Sequence, residues 1–198
     1  MDIREIAKEY NDYLIEMRRW FHAHPEIAEK EFVTSAKIKE ELTKYGIQWR
    51  PCGLQTGVLA TVVGAKSGKT ILLRADMDAL PVTEETGAPY ASTNAGFMHA
   101  CGHDCHTASL LGAAKLMAAH KEELCGNVKF FFQPNEEGDG GAQRMVDAGC
   151  LENPTVDAVF GGHNSTGEAP GVYGLKYDKC YAASNTFTVT VKGKGCHG

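Results

Sequence analysis

The chain has 198 residues, 43% of them hydrophobic and 23% charged, which is sufficient for the core of one good-sized globular domain. Its 20 basic and 25 acidic residues give a net charge of −5 without any basic run, which argues against nucleic acid or an anionic membrane as the main partner. No apolar stretch approaches the roughly 20 residues of a membrane span. The polar N-terminus and the odd number of scattered cysteines predict a reducing, cytoplasmic compartment.

The first 50 residues have the periodicity of helices. Apolar side chains recur at three- and four-residue steps up to Phe21, which predicts one amphipathic helix that ends at Pro25. The same spacing from Phe32 to Tyr45 predicts a second helix, with Gly46 where a C-terminal cap would lie.

The next hundred residues alternate between apolar runs and helical segments. The runs predict strands that are buried on both faces, at residues 58–63, 70–73, 128–132 and 156–160. Residues from about 105 to 124 and from 141 to 148 predict helices. This alternation is typical of an α/β domain with a central, mostly parallel sheet flanked by helices.

The pattern changes near residue 184. From Thr186 to Lys192 apolar and polar residues strictly alternate, which predicts a half-exposed strand of an antiparallel sheet. We therefore expect residues 1–184 to belong to one domain and residues 185–198 to begin a second. We also expect this strand to lie away from the main sheet with its apolar face unpartnered.

Metal-binding side chains are concentrated between Met98 and His106, a stretch with two cysteines and three histidines. Further possible ligands directly follow three of the apolar runs: Asp76 and Asp78, Glu136 and Glu137, and His163. Ligand sites of open α/β sheets lie beyond the carboxyl ends of the strands, so these residues should converge. A metal-dependent enzyme is the leading hypothesis.

Pairs of candidate ligands lie two residues apart. In extended backbone such residues share a side, so Asp76 and Asp78 can face one site, and so can Cys101 and His103. The alternative for the aspartates is that they cap a loop. For the cysteine and histidine it is a structural zinc site, which would need a second, similarly spaced pair, and none is apparent.

Glu136 and Glu137 are adjacent, so in extended backbone they would point to opposite sides. One could then bind metal while the other acts as the general base that a metal-activated hydrolase needs. The alternative is a solvated turn. We expect His22, His24 and His120 to be structural or exposed.

Five stretches together resemble the M20 family of metallopeptidases and amidohydrolases, in the branch of the aminoacylases, hippurate hydrolases, auxin-conjugate hydrolases and N-acetyldiaminopimelate deacetylases. In chain order they are RRWFHAHPE (18–26), RADMDALP (74–81), HACGHDCH (99–106), FQPNEEG (132–138) and GGH (161–163). The resemblance implies a zinc-peptidase-like α/β catalytic domain interrupted by a smaller lid domain that also dimerises. It also implies that the chain is an N-terminal fragment of a protein about twice as long, since the family domain resumes after the lid and supplies a last histidine ligand.

The resemblance assigns roles position by position. It implies four metal ligands, which are Cys101, His103, Glu137 and His163. It implies that Glu136 is the general base, and that Asp76, Asp78 and His106 orient the ligands. His197, in a segment that resembles the opening of the lid, would help to polarise the scissile carbonyl. Asn135, Asn164 and Cys196 depart from the family pattern, but none of them replaces a proposed ligand.

Together with the resemblance, the sequence predicts a metal-dependent amidohydrolase that, as the resemblance implies, cleaves N-acyl amino acids to a carboxylate and a free amino acid. Mixed sulfur, nitrogen and oxygen donors suit zinc, with manganese, cobalt or nickel as alternatives, and two ions per site are expected. The expected partners are a small N-acyl amino acid or short peptide and a second copy of the full-length protein. The alternatives are a dipeptidase or carboxypeptidase of the same family, and an inactive module for binding or dimerisation. Residues 1–198 alone are expected to bind metal weakly, without turnover.

Overall fold

The computed structural model describes residues 3–181 and 186–195. The chain divides into two units, the first ending at Asn164 and the second beginning at Ser165. The helices of the first unit are α1 (Ile3–Glu9), α2 (Asn11–Ala23), α3 (Phe32–Lys44), α4 (His103–Ala119) and α5 (Gly141–Asp147). Its strands are β1 (Gln48–Cys52), β2 (Leu54–Val63), β3 (Lys66–Asp76), β4 (Cys125–Gln133) and β5 (Ala158–Gly161). None of the described helices combines the length and apolar character of a membrane-spanning segment.

One five-stranded sheet, in the order β1-β2-β4-β3-β5, organises the first unit. β3 pairs in parallel with β4 and with β5, and Leu73 lies opposite both Phe130 and Phe160. β2 pairs antiparallel with β1 and with β4, so among the described strands it alone runs against the other four. The predicted central, mostly parallel sheet is confirmed, and the carboxyl ends of β3, β4 and β5 lie along one edge.

Helices cover both faces of the sheet. Phe130 and Phe132 of β4 pack into the main core with residues of α2, α3 and α4. Phe131, between them, faces a smaller cluster that contains Met145 of α5. Because alternate side chains of β4 are buried on opposite faces, a continuous apolar run is what this position in the sheet requires.

The N-terminal helix is interrupted, contrary to the prediction of a single helix. Tyr10 lies between α1 and α2 with φ −94° and ψ 0°, and its N–H donates to the carbonyl of Ala7 at 3.1 Å. Asn11 and Asp12 open α2. Asparagine and aspartate compete with the helical backbone for hydrogen bonds, which favours helix ends over helix interiors.

Gly46 ends α3 as predicted. Its φ of +68° lies in the left-handed region, where residues other than glycine are disfavoured. The N–H of Gly46 donates to Thr43 and that of Ile47 donates to Leu42, at 3.0 and 2.9 Å. This pair of hydrogen bonds is the Schellman motif, which turns the chain from α3 into β1.

β1 was not among the strands predicted from the sequence. This strand lies at the edge of the sheet and pairs only with β2 among the described strands. It contains Arg50 and Pro51, which do not fit the apolar pattern of a central strand. Proline is tolerated at a sheet edge because its missing N–H has no neighbouring strand to bind.

The second unit contains neither helix nor strand among its described residues. The predicted strand at Thr186–Lys192 is therefore wrong. The apolar side chains of Phe187, Val189 and Val191 are 86%, 73% and 87% exposed. Alternating apolar and polar residues allow a segment to bury one face in a sheet, but a strand forms only with a hydrogen-bonded neighbour. The domain boundary at residues 184 and 185 remains a prediction.

Lys115 connects the three helices α2, α3 and α4. Its Nζ lies 4.0 Å from the ring centre of Tyr13, 4.6 Å from that of Tyr45 and 5.2 Å from that of Tyr10. We expect Lys115→Met to lower the free energy of unfolding by about 0.5–2 kcal/mol, the range for cation–π contacts. Urea denaturation measures this change. Lys121→Met, at an exposed position, is the control, and an equal loss in both variants would contradict the prediction.

Candidate metal centre

The candidate ligands meet at the carboxyl edge of β3, β4 and β5. Three groups of described residues have donor atoms within 4.8 Å of one another, and His103 belongs to all three. The groups are Cys101–His103–His163, Asp76–His103–His106 and His103–Glu136–Glu137. The structure thus brings together residues from the end of β3, the start of α4 and the segments after β4 and β5.

His103 lies at the centre and is fully buried. Its Nδ1 is 2.8 Å from the carbonyl oxygen of Asp78, which assigns the ring proton to Nδ1. Its Nε2 is buried without a hydrogen-bond partner. That atom is 3.5 Å from a carboxylate oxygen of Asp76, 3.8 Å from one of Glu137 and 4.0 Å from one of Glu136. An imidazole lone pair surrounded by carboxylate oxygens fits a bound cation.

His163, like His103, has its Nδ1 hydrogen-bonded to a backbone carbonyl. Its Nδ1–H donates to the carbonyl of Asn164 at 2.7 Å, so its Nε2 lone pair faces the Sγ atom of Cys101 at 3.4 Å. Burial, together with a hydrogen bond to Glu137 and the charge of that carboxylate, raises the pKa of the Cys101 thiol to about 12. A coordinating cation has the opposite effect on a thiol, so this donor set is matched to a positive ion.

Asp76 and His106 support each other. Burial alone would raise the pKa of Asp76, but a hydrogen bond from His106 and the charge of Arg74 outweigh it and lower the pKa to about 2. The two contacts to the carboxylate are 2.6 Å from His106 Nδ1 and 2.7 Å from the Arg74 guanidinium. The other ring nitrogen of His106 accepts the Asn164 N–H at 3.0 Å. Because both its nitrogens have partners, His106 is suited to hold neighbouring residues.

Glu136 and Glu137 do not point to opposite sides, as extended backbone would require. Residues 136–139 form a turn, and both carboxylates approach His103 Nε2. The Glu137 N–H also donates to Asp78 at 3.0 Å. The predicted opposite orientation of the two glutamates is therefore wrong, and the division of roles between them remains a prediction.

Cys101 and His103 also meet for a different reason than expected. Gly102 between them has φ +87° and immediately precedes α4, so the backbone bends instead of extending. A Cβ atom at this position would lie 2.4 Å from the side chain of Asn164. The left-handed backbone favours glycine here, and any larger residue would also have to displace the side chain of Asn164.

Cys105 belongs to none of the three groups among the described residues. Burial and the charge of Asp104 raise the pKa of its thiol, and Arg18 lies beside it. Asp104 in turn contacts His22 Nδ1 at 2.7 Å and Arg18 Nε at 3.0 Å. His22 is buried and also contacts Glu84, so of the two expectations for it, structural or exposed, exposure is wrong and the structural role stays a prediction.

Glu31 was not predicted from the sequence; it is a fully buried carboxylate that accepts the N–H of Asn135 at 2.9 Å. The residue type at position 135 was the one sequence signal for a tight turn here, because asparagine tolerates left-handed backbone better than most residues. In the structure Asn135 has φ +55°. Of the predicted residues, His197 lies outside the described part of the chain, as does Cys196.

The chain is similar to several known proteins. A crystal structure of the Bacillus subtilis YXEP protein, described as a dinuclear metal binding peptidase from the M20 family, is 45% identical with a TM-score of 0.76. The match covers 80% of this chain and 44% of that one. The N-acetyl-L-cysteine deacetylase of B. subtilis (strain 168) is 48% identical, over 93% of this chain and 44% of its own length.

The thermostable carboxypeptidase 1 of Saccharolobus solfataricus is 44% identical over 100% of this chain and 49% of its own length. The chain thus spans less than half of each of these three proteins. Residues 72–193 match the profile of Peptidase family M20/M25/M40. This match covers more than half of the chain, together with the residues around His103, and the chain belongs to that family.

Proposed function

We propose that the complete protein containing this chain is a metal-dependent amidohydrolase that cleaves N-acyl amino acids to a carboxylate and a free amino acid. The observation that carries the proposal is the cluster around His103, whose unpartnered Nε2 faces carboxylates that would repel one another without a cation. The substrate class is supported by the relative named as a deacetylase of N-acetyl-L-cysteine.

We infer that Cys101, His103, Glu137 and His163 hold a divalent cation. The two histidines support this assignment because each donates its Nδ1–H to a backbone carbonyl, which orients Nε2 towards the cluster. The mixture of donors suits zinc, with manganese, cobalt or nickel as alternatives. Two ions per site are supported by the neighbour described as dinuclear.

The cation, when bound, would polarise the amide carbonyl and make water more acidic. Glu136 is the proposed base because its carboxylate is near His103 yet 39% exposed, so water and substrate can reach it. It would take a proton from the attacking water and deliver it to the leaving amine. Asp76 and Asp78 would act indirectly, through their contacts with His106, His103 and Glu137.

The proposal is tested by hydrolysis assays with N-acetyl and N-benzoyl amino acids, with dipeptides as the comparison set. We expect the complete protein to contain a divalent metal, to prefer the N-acyl amino acids, and to lose activity to a chelator until zinc or manganese is restored. A preference for dipeptides would favour the carboxypeptidase or dipeptidase alternative, which the carboxypeptidase relative supports. Metal binding without hydrolysis of either set of substrates would favour the third alternative, an inactive module for binding or dimerisation.

Several finer expectations remain predictions. They are the cytoplasmic compartment, the homodimer, the lid domain beginning near residue 185, and the role of His197 in polarising the carbonyl. Size measurement of the complete protein in solution tests the homodimer directly.

A further inference from the structure

The segment that carries Glu136 is held on both sides by buried carboxylates. The N–H of Asn135, the preceding residue, donates to Glu31 Oε1 at 2.9 Å. The N–H of Glu137, the following residue, donates to Asp78 Oδ2 at 3.0 Å. Glu31 is 0% exposed and Asp78 is 1% exposed. The backbone on either side of the proposed base is therefore tied to separate elements, since Glu31 immediately precedes α3 and Asp78 follows β3.

The hydrogen bonds of Glu31 use both of its carboxylate oxygens. Oε1 also accepts the N–H of Glu29 at 3.0 Å, and Oε2 accepts the hydroxyl of Thr56 at 2.9 Å. These donors are backbone N–H groups and a hydroxyl, and all of them are neutral. A buried carboxylate is unfavourable unless its surroundings satisfy it, and an apolar side chain of similar size would fill the same volume without that requirement. The position of the acceptor oxygens is what Glu31 contributes here.

Asn135 passes this constraint to the turn. Its backbone is left-handed, with φ +55°. Its side-chain oxygen accepts the N–H of Asp139 at 3.1 Å, and its carbonyl accepts the N–H of Gly141 at 2.9 Å. Its side-chain amide donates to Glu29 at 3.0 Å. The hydrogen bonds that close the turn all involve Asn135. The orientation of this residue therefore determines the position of the Glu136 backbone.

We propose that Glu31 is a positioning residue for Glu136, acting through the Asn135 N–H. This inference rests on the proposed function, in which Glu136 is the base. Glu31 acts by the location of its acceptor oxygen and not by its charge. Displacement of a reacting group by about 1 Å is sufficient to lower a rate about 10²-fold.

Two substitutions separate location from charge. Glu31→Asp keeps the charge but withdraws the acceptor by one methylene, so kcat should fall about 10–100-fold with KM and metal content unchanged. Glu31→Gln keeps an oxygen at the Oε1 position, and its amide can donate to the Thr56 hydroxyl, so kcat should stay within a few-fold of wild type. Thr56→Val is the matched control, because it removes the hydrogen bond to Oε2 and leaves the one to Asn135.

Hydrogen exchange of the amides at residues 135–141, measured without substrate, provides a readout other than activity. Exchange should be faster in Glu31→Asp than in wild type or Glu31→Gln. This difference supports the positioning role even if wild type hydrolyses no N-acyl amino acid, which would refute the proposed function alone. If Glu31→Asp does not fold, Glu31→Met replaces it, because its thioether is at most a weak acceptor for the Asn135 N–H. If Glu31→Asp, or Glu31→Met in its place, has the kcat and the exchange rates of wild type, the proposal is overturned. It is also overturned if Glu31→Gln loses as much kcat as that variant.

Discussion

Replacement of Glu136 by glutamine is expected to lower kcat by about 10²–10⁴-fold, the usual range for loss of a general base. The amide has nearly the same shape as the carboxylate but cannot take the proton from water. Because Glu136 is not one of the proposed ligands, the metal content should not change. Amine release by the complete protein, combined with elemental analysis of the same sample, measures both quantities.

Glu137→Gln is the matched control for this prediction. The carboxylate of Glu137 lies 3.8 Å from His103 Nε2 and also interacts with Cys101, so its loss should reduce metal content together with kcat. Full metal content in Glu137→Gln combined with metal loss in Glu136→Gln would show that the two roles are interchanged.

Cys101→Ser is expected to lower metal affinity by at least about 10–100-fold. A loss of that size is typical even for residues that only hydrogen-bond to a metal ligand. The thiol of Cys101 lies 3.4 Å from His163 Nε2, within a group whose donor atoms can share one ion. A serine hydroxyl is a poorer ligand for zinc than a thiolate. Elemental analysis after dialysis against a weak chelator measures the loss.

Cys105→Ser provides the comparison because it changes the same atom four residues further along the chain. Cys105 lies next to Asp104 and Arg18 and belongs to none of the ligand groups among the described residues. Its substitution should leave metal content close to that of wild type. Equal loss in the two serine variants would contradict the assignment of Cys101.

The position of the site could be predicted from the sequence because buried strands are easy to recognise. The apolar runs before Asp76 and Glu136 and the shorter run before His163 correspond to β3, β4 and β5. Their parallel pairing places the three carboxyl ends at one edge. The same reasoning failed for Thr186–Lys192, since alternation describes which side chains could be buried and not whether a partner strand is present.

The local geometry of the site depended on features that spacing does not reveal. Glu136 and Glu137 face the same ring because they lie in a turn, and Cys101 meets His103 through the left-handed Gly102. The rule that alternate residues share a side holds only for extended backbone. A turn or a single residue with positive φ changes the direction of the chain, and the rule then no longer applies.

The sequence by itself determined the strand–helix alternation, the donor atoms available for a metal and the edge of the sheet where they gather. These follow from side-chain chemistry and from periodicities of two and 3.6 residues, which are local properties of the chain. Only the tertiary structure decided which nitrogen of His103 faces the carboxylates and which buried residue holds the turn at Asn135. Glu31 is 104 residues distant from Asn135 along the chain. A contact of that kind exists only after packing has removed both groups from water and left each as the other's hydrogen-bond partner.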